Sequence, residues 1–330
     1  MNVPSLDHLK RAYAETSKAT QVTPLLESRP LARLTGAKQV FVKPESLQWA
    51  GSFKIRGAYW RLTQLSSEER KRGVVAYSSG NFAQGLAAAG EALGIPVTIV
   101  MPIDAPKAKS DATRGYGATV IQTEHGERAR EEVALAKARE IAAEKDLVLL
   151  HPFDDPEIVA GQAGAGLEAL HQLADHGAEA DIAFCPVGGG GLIGGVALAF
   201  HYLSPQTAIF AVEPERFNGM GVSLAHGAIE TMPLGAPSIC DGLMARRPGD
   251  APFAAVTVAG VNGLTVQDAE VRAAMKFAFE RLKLVLEPSG ASALAAALSG
   301  KADVADKTVV VVATGGNVSL SDYMKHIADS

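Results

Sequence analysis

Short runs of apolar, largely β-branched residues alternate along this 330-residue chain with longer segments of helical periodicity. The runs that predict strands are residues 40–42, 74–77, 97–100, 119–121, 147–149, 182–184, 208–212 and 308–312. The segments that predict helices are residues 82–93, 127–144, 157–173, 191–203, 267–282 and 289–298, the fifth with a capping-box start at Thr265 and Asp268. Apolar strands that alternate with helices are typical of parallel sheets covered on both faces, so the chain is predicted to be of the α/β class.

Composition and charge exclude several classes of protein. No apolar run approaches the ~20 residues of a membrane-spanning helix. The first residues lack a basic region followed by an apolar one, which predicts no secretory signal. A net charge of −5 gives no basic surface for nucleic acid. Cys185 and Cys240 have no metal-ligand spacing, so we expect two buried thiols in a protein of the reducing cytoplasm. Because the sequence indicates neither nucleic-acid nor membrane binding, we expect the partner to be a small molecule.

One lysine has an unusual setting, in the segment GSFKIRGAYW at residues 51–60. Lys54 follows an aromatic residue and opens an apolar-periodic segment. A primary amine can hold an aldehyde covalently, be displaced by a substrate amine and then transfer a proton. From these residues alone, a basic solvated helix face is an equally good interpretation. Three turns elsewhere in the chain bear on the choice.

The first turn is YSSGNFAQG at residues 77–85, between a predicted strand and a predicted helix. Small residues ahead of a helix expose backbone N–H groups that suit a carboxylate or a phosphate. An ordinary helix N-cap at Ser79 or Asn81 is the alternative interpretation.

The second turn is PVGGGGLIGG at residues 186–195. Four consecutive glycines before a helix form a nest of N–H groups for a phosphate dianion. Gly189, Gly191 and Gly194 also satisfy the dinucleotide fingerprint, and Glu213 follows roughly 20 residues later at a predicted strand end. A NAD-dependent dehydrogenase is therefore an alternative of a different class, although it leaves the lysine and the other turns unexplained.

The third turn, VVATGGN at residues 311–317, again places a glycine pair after a strand. Taken in chain order, these segments resemble the threonine/serine dehydratase family, which are serine racemase-like enzymes of fold type II. In that family the lysine carries pyridoxal 5'-phosphate as a Schiff base. The resemblance implies catalytic roles for Lys54 and Ser79. It implies cofactor binding by Phe53, Lys54, Asn81, Gly188, Gly189, Gly190, Gly191, Leu192 and Thr314, and substrate binding by Ser78, Ser79, Gly80 and Asn81.

The same resemblance implies a tryptophan synthase β-like architecture of two α/β domains, with the cofactor in the cleft between them. Residues 1–70 and 149–330 would form a large cofactor-binding domain, and residues 71–148 a small substrate domain. It implies a homo-oligomer, a dimer or a tetramer. The end at Ser330, without a regulatory extension, is similar to the short, catabolic-type dehydratases.

The implied activity is β-elimination, converting L-threonine or L-serine to a 2-keto acid and ammonia with Lys54 as the proton-transfer base. Two alternatives in the family stay open. A serine racemase needs a second acid/base on the opposite face of the substrate, and Ser79 matches that position. A dehydratase acting on 3-hydroxyaspartate or phenylserine is the other alternative, since a serine at position 79 also occurs in hydroxyaspartate dehydratases.

Two residues depart from the family pattern. Phe82 replaces a histidine, and an apolar ring there predicts a preference for threonine, serine or a bulkier apolar substrate over 3-hydroxyaspartate, unless Phe82 only packs in the core. Some members bind a cation through the equivalent of Glu213 and an acid six residues later. The resemblance thus allows a divalent or monovalent cation, but Gly219 offers no carboxylate, which weighs against such a site, and Glu213 could instead pair with Arg216.

Overall fold

Two parallel sheets organise the molecule, seen in a computed structural model that describes residues 3–126, 130–233 and 235–328. The strands are β1 Leu26–Glu27, β2 Gln39–Pro44, β3 Val74–Tyr77, β4 Val97–Pro102, β5 Thr119–Thr123, β6 Val148–Leu150, β7 Ile182–Pro186, β8 Ala208–Pro214, β9 Asn262–Val266 and β10 Thr308–Ala313. One sheet has six strands in the order β1-β2-β10-β7-β8-β9, and the other has four in the order β5-β4-β3-β6. All neighbouring strands are parallel except β1 and β2.

Helices cover both sheets. They are α1 Leu6–Thr16, α2 Arg29–Thr35, α3 Lys54–Thr63, α4 Ser67–Arg72, α5 Asn81–Leu93, α6 Lys107–Gly115, α7 Arg130–Lys145, α8 Pro156–Gln162, α9 Gly164–Asp175, α10 Gly191–Leu203, α11 Gly219–His226, α12 Asp250–Ala259, α13 Asp268–Phe277, α14 Pro288–Leu298 and α15 Leu320–Ala328. Within the described residues, no helix is long and apolar enough to cross a membrane.

The predicted α/β class is confirmed, and the eight predicted strands correspond to β2 to β8 and β10. Strands β1 and β9 were not predicted. The first has two residues, and the second, NGLTV, has no apolar run. Strand β10 lies between β2 and β7, and every one of its residues is buried. This position explains why its run of apolar residues was the clearest strand signal in the sequence.

Two helix predictions need correction, and part of a third lies outside the described residues. The segment 157–173 forms two helices, α8 and α9. The start predicted at residue 127 lies outside the described residues, and α7 is described from Arg130. Thr265 belongs to β9 and does not cap a helix. Instead, Gln267 caps α13, and its backbone N–H donates to Glu270 at 2.7 Å in a capping box two residues later than predicted.

The helix α3 belongs by packing to the four-stranded sheet. Its residues Ile55 and Leu62 share a buried cluster with Val74 and Ile99, although α3 precedes residue 70 in the chain. Burying such side chains contributes roughly 1.5–3 kcal/mol each. The domain boundaries near residues 70 and 149 stay a prediction.

Candidate active site

A cavity of about 460 Å³ opens between the two sheets. Strands β3, β7 and β10 end at it, and the turns that follow these strands form much of its wall. Ligands of open parallel sheets bind at the carboxyl ends of the strands. The topology therefore converts three turns that are distant in sequence into one site.

The cavity brings together every residue that the sequence predicted for the site. Its wall contains Phe53, Lys54, Ser78, Ser79, Gly80, Asn81, Gly188, Gly189, Gly190, Gly191, Leu192 and Thr314. Phe82 also lines it, while being 2% exposed and packed in a core cluster. Phe82 thus both faces the cavity and packs in the core, so the substrate-contact and the core-packing interpretations each describe part of its position.

Lys54 is the first residue of α3 and has the environment of a reactive amine. Its Nζ donates a hydrogen bond to the carbonyl oxygen of Pro152 at 3.0 Å. Burial lowers the pKa of Lys54 from 10.5 to about 8. With that pKa, roughly a tenth of the amine is neutral at pH 7, far more than for a solvated lysine.

A buried network of four charges holds α3 beneath Lys54. The Arg56 guanidinium donates to Glu45 through Nε at 2.7 Å and to Glu168 through Nη1 at 2.7 Å. Lys43 donates to Glu168 at 2.7 Å, and all four side chains are 0 or 1% exposed. Losing one member of a buried pair is costly because it leaves an uncompensated charge. The first turn of α3 is thereby fixed.

The loop at residues 78–81 connects β3 to α5. Gly80 is the N-cap residue of α5, and no side chain caps the helix there. The interpretation of Ser79 or Asn81 as an ordinary N-cap is therefore wrong. Backbone N–H groups in the first turn of a helix have no partner within that helix, so this loop can bind an anion.

Asn81 is held in one orientation by two partners. Its Nδ2 donates to Glu287, and its Oδ1 accepts from the Nδ2 of Asn317 at 2.9 Å. The Nδ2 of Asn317 also donates to the carbonyl oxygen of Ala50 at 2.8 Å. An amide bonded at both ends cannot rotate freely, so Asn81 presents a fixed face.

The glycine loop follows β7 and ends at the start of α10. Gly190 is the N-cap residue at φ +98°, and no side chain caps α10. A Cβ at Gly189 would lie 2.2 Å from the Phe153 ring, and one at Gly188 would lie 2.8 Å from the carbonyl oxygen of Gly242. Close packing thus requires glycine at these positions, besides any need of a ligand.

Thr314 is the residue that follows β10. It is 4% exposed and lines the cavity. Its carbonyl oxygen accepts a hydrogen bond from the backbone N–H of Phe53 at 3.3 Å. This bond ties the third turn to the segment that carries Lys54.

Sequence reasoning missed six charged residues of the cavity wall, which are Lys109, Glu132, Asp241, Arg246, Arg247 and Glu287. The Nζ of Lys109 donates to Asp241 at 2.6 Å and lies 3.6 Å from Glu287. Burial raises the pKa of Glu287, and the Lys109 charge opposes that rise. Lys109, Asp241 and Glu287 come from three separate segments of the chain. Single polar residues far apart in sequence give no signal that they meet.

Glu213 does not have the setting of a cation ligand. Its two carboxylate oxygens accept hydrogen bonds from the backbone N–H groups of Met220 and Gly221, each at 2.8 Å. Gly219 adds no carboxylate, and no cluster of three metal-ligating side chains occurs among the described residues. The residues present do not fit a cation site here. Glu213 is held by these N–H groups, not by the alternative partner Arg216.

The fold and the cavity define an α/β enzyme with an amine and two anion-binding helix N-termini between parallel sheets. Residues 16–315 match the family model described as pyridoxal-phosphate dependent enzyme, and the chain belongs to this family.

Relatives within the family include ammonia-lyases and a serine racemase. The chain is 40% identical over 317 residues to an L-threonine ammonia-lyase of Thermotoga maritima, covering 96% of this chain and 76% of that protein. It is 39% identical over 324 residues to an L-threo-3-hydroxyaspartate ammonia-lyase of Saccharomyces cerevisiae, covering 98% and 96%. The structure of maize serine racemase superposes with a TM-score of 0.91 at 33% identity, covering 99% and 98%.

These findings confirm the predicted fold type II and the prediction of a pyridoxal-phosphate-dependent lyase. The dehydrogenase alternative is not supported. Glu213, which would have to face a ribose, is 1% exposed and bonded to the backbone of α11.

The site also fits the cofactor by its own geometry. The amine of Lys54 faces the cavity with a lowered pKa, as covalent attachment to an aldehyde requires. The start of α10 has no capping side chain, so its N–H groups are free to receive a phosphate.

Proposed function

We propose that this enzyme eliminates water from L-threonine or L-serine and releases a 2-keto acid and ammonia. The proposal rests on the amine of Lys54, whose lowered pKa favours the neutral form. The amine lies in the cavity at which α5 and α10 begin without side-chain caps. The relatives named L-threonine ammonia-lyase and threonine dehydratase support the choice of substrate.

The cofactor would be held by residues of four segments. Lys54 would bind it as a Schiff base, Phe53 would pack beside its ring, and Gly188 to Leu192 would bind its phosphate. Asn81 would contact the ring hydroxyl and Thr314 the ring nitrogen. When bound, pyridoxal phosphate supplies an electron sink for bond breaking at the substrate Cα.

The chain's own residues would bind the substrate and move its protons. The N–H groups of the loop at Ser78, Ser79, Gly80 and Asn81 would hold the substrate carboxylate at the start of α5. The neutral amine of Lys54 would take the proton from Cα, and its lowered pKa makes that form accessible near neutral pH. The buried network under α3 would keep this amine in place while the proton moves.

Racemisation of serine is a second candidate function because Ser79 lines the same cavity as Lys54. It would require Ser79 to act as the second acid/base. With L-serine as substrate, Ser79→Ala should abolish D-serine formation while pyruvate release persists. Wild-type protein that forms no D-serine would remove this candidate.

The substrate side chain is proposed to be small or apolar. Phe82 offers no donor to a second carboxylate on its side of the cavity wall, and burial of a carboxylate against the ring costs several kcal/mol. Arg246 and Arg247, also in the wall, are the donors that could offset this cost. The relatives named L-threo-3-hydroxyaspartate ammonia-lyase argue against this substrate preference. Comparison of kcat/KM for L-threonine and 3-hydroxyaspartate decides between them, and a strong preference for hydroxyaspartate would refute the proposal.

We further propose a homo-oligomer in the cytoplasm, a dimer or a tetramer. Large apolar side chains are exposed at Trp49, Phe279 and Leu320, which is typical of surfaces that associate. Both cysteines are free and buried, as in proteins of reducing compartments. The four-stranded sheet of β3 to β6 supports a small domain near the proposed residues 71–148, with residues 1–70 and 149–330 as the large domain, although α3 packs on that small-domain sheet.

The central experiment assays keto acid release from a panel of β-hydroxy amino acids. We expect wild-type protein to be yellow and active on L-threonine or L-serine. Lys54→Ala should lose the yellow absorbance and the activity together, because the amine both attaches the cofactor and moves the proton. A Lys54→Ala protein that kept both properties would overturn the assignment.

A further inference from the structure

Helix α5 packs directly on the residue that carries the reactive amine. The ring centroid of Phe82, the second residue of α5, lies 5.6 Å from the Nζ of Lys54. The ring centroid of Phe53, the residue before Lys54, lies 5.2 Å from the same Nζ. The amine is therefore flanked by two aromatic rings.

The backbone sets this arrangement. Gly85 lies one turn after Phe82, and a Cβ there would be 2.8 Å from the backbone nitrogen of Ile55 and 3.0 Å from the Cβ of Lys54. Only a glycine lets α5 come so close to α3. Phe82 is also buried among core side chains, so its ring has little freedom to move away.

A phenyl ring acts on an amine mainly by what it excludes. It has no lone pair in its plane to accept a hydrogen bond, and it fills space that water would occupy. The attraction between an ammonium and an aromatic face is worth about 0.5–2 kcal/mol and partly offsets this effect. Desolvation outweighs this attraction, since the pKa of the partly buried Lys54 falls to about 8.

Other titratable groups surround the cavity. The Tyr77 hydroxyl and the Nε2 of His151, the residue before Pro152, form a hydrogen bond at 3.0 Å. The pKa of His151 is lowered by burial and further by the Lys54 charge. Lys109, Asp241 and Glu287 stand elsewhere in the wall and bond to one another. Glu132, Arg246 and Arg247 also line the wall. Among the described residues, His151 is the group whose pKa responds to the Lys54 charge, and a protonated His151 would in turn favour the neutral amine.

We propose that Phe82 is a positioning residue for Lys54, closing the amine off from water and from hydrogen-bond acceptors on the α5 side. The amine then keeps Pro152 as its hydrogen-bond partner and reacts in the neutral form near physiological pH. This role rests on the proposed function, in which Lys54 is the reacting amine.

The test measures the titration of Lys54 itself. Full-length chain freed of cofactor is labelled with acetic anhydride across a pH series, and the Lys54 peptide is quantified by mass spectrometry. The midpoint for the wild type is expected near 8. Phe82→His introduces a ring nitrogen that accepts a hydrogen bond, and the midpoint should rise by about one pH unit.

Phe82→Leu is the matched control, since it keeps an apolar side chain and should leave the midpoint within a few tenths of a unit. Phe41→Leu, at a buried ring in β2, controls for loss of packing and should leave the midpoint unchanged. If Phe82→His does not fold, Phe82→Gln supplies an acceptor and carries the same expected rise.

Equal midpoints in the wild type and the acceptor variant would overturn the proposal, as would equal rises in the leucine and histidine variants. The labelling result is independent of turnover. A wild-type protein with a low Lys54 midpoint but no keto acid release would contradict the proposed function and leave the role of Phe82 intact.

Discussion

Lys54 belongs to a residue type that normally lies charged on a protein surface, and its surroundings change that chemistry. Burial is the main cause of its lowered pKa. The rings of Phe53 and Phe82 and the carbonyl of Pro152 provide that burial without adding a negative charge. An apolar setting can thus prepare an amine for covalent chemistry.

At the residue scale, Gly189→Ala is expected to impair both stability and cofactor binding. The new Cβ would lie 2.2 Å from the Phe153 ring, so the glycine loop and the ring must separate. Overpacking of this kind costs about 1–3 kcal/mol. Denaturant unfolding and titration with pyridoxal phosphate measure the two effects.

Gly115→Ala is the control for that variant. Its Cβ would meet nothing within 4 Å, at the last residue of α6. Alanine is favoured over glycine in helices by up to about 1 kcal/mol, so this change should be neutral or stabilising. Equal stability and affinity in Gly189→Ala and wild type would contradict the proposed packing constraint.

Sequence reasoning at this scale singled out residues that have distinctive neighbours in the chain, and their roles stay a prediction. Lys54, Asn81, Thr314 and the glycines each stand in a short ordered motif, and all reach the cavity wall. The need for glycine at Gly189 could not be predicted, because Phe153 has no sequence relation to it. Packing partners of that kind appear only once the chain is folded.

At the element scale, α11 depends on a buried carboxyl. Glu213 at the end of β8 accepts two N–H groups from the first turn of α11. Burial raises its pKa from 4.5 to about 8, and the two hydrogen bonds oppose that rise without cancelling it. Attachment of α11 to β8 is therefore linked to a proton.

This linkage predicts a pH-dependent stability. Between about pH 4.5 and 8 the folded protein keeps a proton on Glu213 that the unfolded chain releases. The stability from this proton is complete below 4.5 and is lost as the pH rises to about 8, at a slope on the order of 1 kcal/mol per pH unit. Unfolding titrations of wild type and Glu213→Gln should differ by that slope.

Glu215→Gln provides the comparison, since Glu215 lies two residues away and is exposed. Its pH dependence should follow that of the wild type. Identical slopes for Glu213→Gln and the wild type would show that the carboxyl titrates equally in both states.

Element prediction worked best for buried strands and long amphipathic helices. β10 has the simplest signal, five consecutive β-branched residues, whereas β9 contains Asn262 and Gly263 and is recognised only by its pairing with β8. The start of α13 was placed too early because Thr265 and Asp268 match a capping pattern that Gln267 and Glu270 actually form. Local patterns of this type recur within a few residues, and tertiary packing selects one.

At the scale of the whole molecule, side-chain contacts at the cavity join the four-stranded sheet and its helices to the rest of the chain. Lys109 in α6 is paired with Asp241, and Asn81 in α5 donates to Glu287. Both contacts lie in the cavity wall. The parts of the molecule that must enclose a substrate are therefore joined at the place where it binds.

We expect Lys109→Met to lower both stability and kcat/KM. It leaves the buried Glu287 and the partly exposed Asp241 without their cation, which costs about 2 kcal/mol or more. Lys107→Met, two residues earlier, removes an exposed pair with Asp111 and should change stability by less than about 1 kcal/mol. Thermal unfolding and steady-state kinetics of both variants test the difference, and equal effects would contradict it.

The buried network of Lys43, Glu45, Arg56 and Glu168 limits how such an enzyme can be redesigned or can diverge. Two positive and two negative groups balance where no solvent reaches, so each single charge loss passes through an intermediate with an unpaired ion. The four positions must therefore change as a set or remain as they are. Single substitutions in the cavity wall can change the substrate preference, whereas the buried network under Lys54 can be replaced only by simultaneous substitutions.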